Sequence, residues 1–121
     1  MRNYCALIVL ILLGATSSCT YETISPKEPE VPTEISFNDN VIPIFNGICN
    51  NSGCHSTGGI PPNLTPTNAF VSLTFFGYVD LDVPEESEIY KRITDGSMKD
   101  YATDQDRAII LKWIEQGALD N

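Results

Sequence analysis

Histidine is nearly missing from this chain of 121 residues: His55 is the single one. No phosphate-binding glycine loop accompanies it, and no run of His, Cys, Asp and Glu falls at metal-cluster spacing. Serine-, cysteine- and carboxylate-based catalysis therefore finds no support in the sequence. Basic residues are also scarce, seven Lys and Arg against sixteen Asp and Glu, for a formal net charge of -9. Such a surface disfavours nucleic acid and steers towards basic partners. Methionine is limited to Met1 and Met98, and tryptophan to Trp113. The longest apolar run, from Ala6 to Leu13, falls well short of the about 20 residues that span a bilayer. Strand patterning is weak too. The most β-like stretch, residues 71–83, is interrupted by Gly77 and bounded by Pro84.

That short apolar run has a different use. It follows Arg2 and ends in Ala15, Thr16, Ser17 and Ser18 ahead of Cys19, the layout of an export signal over residues 1–18. A cysteine after those small residues resembles a bacterial lipoprotein cleavage site, so Cys19 is expected to become the lipidated N-terminus. A non-lipidated export signal is the alternative, because Thr16 stands where the lipoprotein pattern prefers leucine. Both readings are extracytoplasmic, and the first anchors the protein to a bacterial membrane by lipid. Residues 19–35 carry Pro26, Pro29 and Pro32 among glutamates and hydroxyl residues without a period of two or 3.6, which reads as a flexible, extended tether.

The folded unit is expected over residues 36–121, a small domain whose stability a large apolar cofactor would raise. Val41, Ile44, Phe45 and Ile48 share a face with Phe37, and the helix they form starts near Asn40, keeps Pro43 in its first turn and ends at Cys49. A second helix is predicted over residues 66–73 behind Thr65, and a third over residues 85–94, with acidic residues early, Lys91 and Arg92 late, and Gly96 as the stop. The last helix has the fullest set of signals. Thr103 caps it, Asp104 and Asp106 fill its first turn, Ile109, Ile110, Trp113 and Ile114 make its stripe, and Gly117 ends it. The domain reads as all-α with long loops.

Export simplifies the thiol inventory. Cys5 leaves with the signal and Cys19 takes the lipid, so the mature domain keeps Cys49 and Cys54, with His55 directly after the second. Two cysteines ending in Cys-His mark covalently attached haem, since the thiols add to the haem vinyls and the adjacent imidazole is placed to ligate iron. Asn50, Asn51, Ser52 and Gly53 separate the pair, four residues where two are usual. In an exported domain the same cysteines also suit a disulfide closing a small loop, and spacing alone leaves both open. Met98 falls on the loop between the third and fourth helices, whereas a core-filling methionine would more often sit on a helical stripe.

The order of these parts resembles a family. Val41-Ile42-Pro43-Ile44-Phe45 ahead of the cysteines, and the ending Trp113-Ile114-Glu115-Gln116-Gly117-Ala118, are similar to the small c-type cytochrome domains first recognised in planctomycete proteins and their relatives among Bacteroidetes lipoproteins. The resemblance covers most of residues 36–121. It implies a class I cytochrome c-like fold, three to four short helices with long loops around one covalent haem c. It also implies thioether bonds from Cys49 and Cys54, His55 as proximal iron ligand and Met98 as distal ligand. The family's methionine is usually followed by proline, where this chain has Lys99.

With both axial positions filled, the implied activity is one-electron transfer by a membrane-tethered monohaem cytochrome, not an enzyme itself but suited to serve as accessory to an oxidoreductase. The implied partners are redox proteins and, through the N-terminal lipid, a membrane. No nucleic acid and no small-molecule substrate are expected. The competing reading is a non-catalytic exported binding or interaction lipoprotein with a Cys49–Cys54 disulfide. A third is a haem enzyme or gas sensor with a labile Met98. Mass spectrometry of the mature chain separates the first two: haem raises the mass by that of the cofactor, whereas a disulfide lowers it by two hydrogens.

Overall fold

Ser36 turns the chain into its first helix. Its hydroxyl accepts a hydrogen bond from the Asp39 amide at 3.2 Å, while its own amide donates to Asn40 Oδ1 at 2.8 Å. The start is therefore earlier than the expected Asn40, and Pro43 sits inside the helix rather than in its first turn. The backbone accommodates the proline by widening. Helix α1 comprises wide turns over Phe37–Val41 and Phe45–Cys49 on either side of an α-helical turn at Ile42–Ile44. The Ile42 amide bonds five residues back to Phe37 O, and the Asn50 amide does the same to Phe45 O. A wide turn of this kind accommodates a residue that cannot donate to the ordinary ladder.

The computed structural model describes residues 28–121; residues 1–18, read as an export signal, with Cys5 among them, and the lipidation candidate Cys19 lie outside the described residues. Four helices follow one another in chain order with no strand among the described residues, so the fold is all-α. Helix α2 is Ala69–Phe75, α3 is Glu88–Thr94 behind a 3₁₀ turn at Pro84–Glu86, and α4 is Asp104–Glu115. Helix α2 begins three residues later than its pattern predicts. Thr65 Oγ1 donates to Asn63 Oδ1 instead of capping, and Pro66, Thr67 and Asn68 form a turn before the helix. The third predicted helix is split at Ser87, which is 1% exposed. Its hydroxyl accepts from the Asp80 amide and donates to the Asp80 carbonyl, so a buried two-way bond holds Ser87 in an extended conformation between the 3₁₀ turn and α3.

Helix α4 forms as its sequence predicts. Thr103 and Asp106 make a reciprocal capping box, and the chain leaves the helix at Gly117, whose φ is 97°. The core lies between α1 and α4. Phe37 is its hub, with ring centroids 5.0 Å from Trp113, 5.5 Å from Phe70 and 6.4 Å from Phe45. Trp113 is a core residue, and its indole N–H donates to Leu119 O at 2.9 Å, tying the C-terminal residues back onto α4.

Part of the segment read as a tether lies against this core. Val31 and Ile35 pack on it, and Gln116 accepts from the Ile35 amide at 2.8 Å while donating to Thr33 O at 2.7 Å. Replacing the hub should show how much hangs on it. Phe37→Ala is expected to lower unfolding free energy by about 3–5 kcal/mol, most of what a domain this small possesses. Val71→Ala, at a position 58% exposed, should change it by under about 0.5 kcal/mol. Urea unfolding curves of the two variants check both values.

Candidate functional site

Cys49 is the last residue of α1, and the chain then folds back on itself. The Cys54 amide donates to Asn51 O at 2.9 Å, closing a turn over the four-residue gap, and the His55 amide donates to Cys49 O at 3.1 Å. Asn50 fastens the turn from outside through Asn46 Oδ1 and Leu64 O. The wider spacing is thus absorbed by one extra turn, and His55 returns to the end of α1. Cys49 is half-buried, Cys54 exposed, and both are free thiols.

A second loop fixes the imidazole. The Ile60 amide donates to Cys54 O at 2.7 Å and the Leu64 amide to His55 O at 2.7 Å, which curls residues 56–63 around the ring. Gly59 permits the curl, because a Cβ there would lie 2.1 Å from Cys54 O. The carbonyls of Ile60 and Pro62 face His55 Nδ1 at 2.9 and 3.1 Å. Carbonyl oxygens only accept, so Nδ1 carries the proton and Nε2 of the neutral ring keeps its lone pair for another partner.

The thiols differ electrically. Burial pushes Cys49 up to about 11, with the negative charges of Asp106 and Cys54 adding to the effect. Asp106 lies in the capping box of α4, so a carboxylate of the last helix acts on the thiol that ends the first. At neutral pH Cys49 stays a thiol and is a poor nucleophile.

Met98 lies on the loop between α3 and α4, half-buried against the same hydrophobic cluster that Cys49 borders. Its amide donates to Arg92 O at 2.9 Å and its carbonyl accepts from the Tyr101 amide at 3.1 Å. Gly96 lets the chain leave α3 towards it, since a Cβ there would sit 2.8 Å from Arg92 Cα. The fold thus gathers Cys49, Cys54 and His55 into one loop system, with Met98 on another.

Two clefts stand out, and neither is lined by any of the four. One of about 340 Å³ lies between Glu34, Ile35 and the end of α4. The other, of about 550 Å³, lies between residues 58–63, with Ser56, and Ser72, Phe76 and Tyr78. Large apolar groups nevertheless reach the surface, with Phe75 and Phe76 79% and 68% exposed and in edge contact at 5.3 Å. Lys91 and Arg92 pair with Glu86 and Glu88 as a solvated helix face.

Among the described residues no three His, Cys, Asp or Glu side chains converge on one point. A bare ion normally takes three or four protein ligands. One imidazole with a free Nε2, one thioether and two thiols instead make a donor set for an iron already held by a macrocycle. Sequence reasoning overlooked Arg107 and Asp106 as neighbours of the site. A signal was present for the first: a cation in the opening turn of a helix opposes the usual charge preference there.

Compared with protein-family models, with curated proteins and with solved structures, the chain gives no match.

The two thiols should report their environments directly. In the haem-free protein at pH 8, iodoacetamide is expected to modify Cys54 well before Cys49, read by peptide mass. Asp106→Asn removes a charge that opposes the thiolate, so it should bring the Cys49 midpoint down towards the ordinary 9.0. Because the folded state holds Cys49 protonated, its contribution to stability is complete below pH 9.0 and is lost as pH rises through about 11. Thermal melts across that window should fall for the wild type and less so for Cys49→Ala.

Proposed function

We propose that residues 36–121 form a class I cytochrome c-like domain carrying one covalent haem c and passing single electrons between exported redox proteins. The observation that supports it most is the state of His55: Nδ1 is spent on the carbonyls of Ile60 and Pro62, Nε2 is left available, and the same loop system carries two unbonded thiols. In this reading Cys49 and Cys54 would hold the haem through thioethers, and His55 and Met98 would be its iron ligands. Bound there, haem iron supplies a reversible one-electron couple between its ferrous and ferric states.

The chain's own residues then do the rest. The two backbone carbonyls fix the tautomer of His55 and the direction of its ring, and a hydrogen bond of this type raises the basicity of the ligating nitrogen. Met98, packed against the core, offers a neutral thioether, and a thioether ligand in addition to imidazole would raise the reduction potential. With His55 and Met98 both holding the iron, no place would be left there for a substrate. The acidic surface, -9 over the full chain, favours basic partners at the docking step. Through a lipid on Cys19 the domain would work at a bacterial membrane, alone or as accessory to an oxidoreductase.

A pyridine haemochrome assay tests the reading on full-length protein matured in a host that attaches haem c. One covalent haem per chain is expected, and its absence overturns the proposal. In the loaded protein, Met98→Ala should lower the midpoint potential and admit carbon monoxide to ferrous iron, whereas the wild type resists it.

A further inference from the structure

Helix α4 presents an arginine whose three guanidinium nitrogens each donate a hydrogen bond, to α3, to the loop after it and to α4 itself. Arg107 is one turn into the helix, and its side chain is 22% exposed. Nε donates to the carbonyl of Ile93 at 2.7 Å, near the end of α3; Nη2 donates to the carbonyl of Lys99, directly after Met98; and Nη1 pairs with Asp104 Oδ1 at 2.6 Å. The two carbonyls bracket the loop that bears Met98. The amides of Gly96 and Met98 bond back to the Lys91 and Arg92 carbonyls of α3, and the Tyr101 amide donates to Met98 O.

We infer that Arg107 is the positioning residue for the distal ligand: by clamping Ile93 O and Lys99 O to α4, it holds the Met98 thioether where an iron ligand is needed. The inference rests on the cytochrome reading and adds to it a residue outside the Cys-His and methionine motifs. The chemistry of the fork decides why arginine stands here. A guanidinium offers donors in several fixed directions and bridges two carbonyls and a carboxylate at once, whereas the single ammonium of lysine meets one or two of them. Hydrogen bonds from a charged donor are also the strong ones, and a loop with no regular structure of its own depends on them. The position is consistent with the thiol end of the site: Asp106, the residue before Arg107, lies close enough to Cys49 to oppose its ionisation. The first turn of α4 therefore carries both the clamp on the methionine loop and a carboxylate whose charge acts on the Cys49 thiol. No cation would be favoured at that point of the helix for its own sake.

The test compares full-length wild type, Arg107→Gln, Arg107→Lys and Met98→Ala, all matured with haem. Arg107→Gln is expected to keep its covalent haem in the pyridine assay but to lose the thioether-to-iron charge-transfer band of the ferric form. It should also bind carbon monoxide about tenfold faster than the wild type or more, approaching Met98→Ala, as follows from losing two charge-assisted bonds. On the same preparations, hydrogen exchange at the Met98 and Tyr101 amides should quicken by about tenfold, with the amides of Ile110 and Ile114 unchanged. Arg107→Lys keeps the charge without the bridge and should follow Arg107→Gln. It also carries the comparison if the glutamine variant fails to accumulate. A wild-type band and carbon monoxide rate in both variants overturn the role of Arg107 and leave the cytochrome reading intact. A wild type without covalent haem overturns that reading and this inference together. Faster exchange throughout α4 also overturns it, since Arg107 would then be a general stabiliser of the helix.

Discussion

The contact between Phe37 and Trp113 joins the two ends of the domain, and everything between them is positioned by that closure. Their rings lie 5.0 Å apart, one at the start of α1 and the other near the end of α4. Polar bonds reinforce the same seam: Asn121 accepts from the amides of Phe37 and Asn38 and from the Ser36 hydroxyl. Gln116 adds the backbone of Ile35 and Thr33. A domain this small has one modest core, so the pairing of first and last helices is also the frame of the candidate site. The far end of α1 delivers Cys49, and the near end of α4 receives the loop that bears Met98.

Within that frame the chemistry is carried by loops, whose shape comes from backbone hydrogen bonds and from glycines at close approaches rather than from regular structure. Residues 50–63 are held by the amides of Cys54, His55 and Ile60 and by Gly59 against Cys54 O. The methionine loop is held by Gly96 and Arg107. The His55 side is self-contained, because its orienting carbonyls come from the eight residues after His55. The Met98 side depends on α4, which makes it the more sensitive to changes far away in sequence.

Much of this was legible beforehand, and where it was not the reasons are local. Helix α4 follows its capping residues and apolar stripe because cap and stripe agree. The start of α1 was misplaced by three residues, since Ser36, Asn38, Asp39 and Asn40 are all capable caps and only the packing of Phe37 chooses among them. The third helix breaks at Ser87 because a buried hydroxyl needs the backbone of Asp80, and nothing in a helical periodicity announces that need. Residues 31–35, proline-bearing and polar, read as tether, yet Val31 and Ile35 find a place on the core.

By itself the sequence determined the inventory: one imidazole at His55, a thioether at Met98, the thiols of Cys49 and Cys54, an excess of acidic residues and an all-α pattern. These are matters of composition and of spacings of three or four residues, which act before any long-range contact forms. Tertiary structure alone decided how the inventory is held. Whether Nδ1 of His55 meets carbonyls, whether Cys49 is buried beside Asp106, and whether Arg107 reaches the Ile93 carbonyl fourteen residues away all depend on which loops the closed core brings together. Hydrogen-bond partners across such separations leave no period in the sequence, because the distance between them exists only once Phe37 and Trp113 have met.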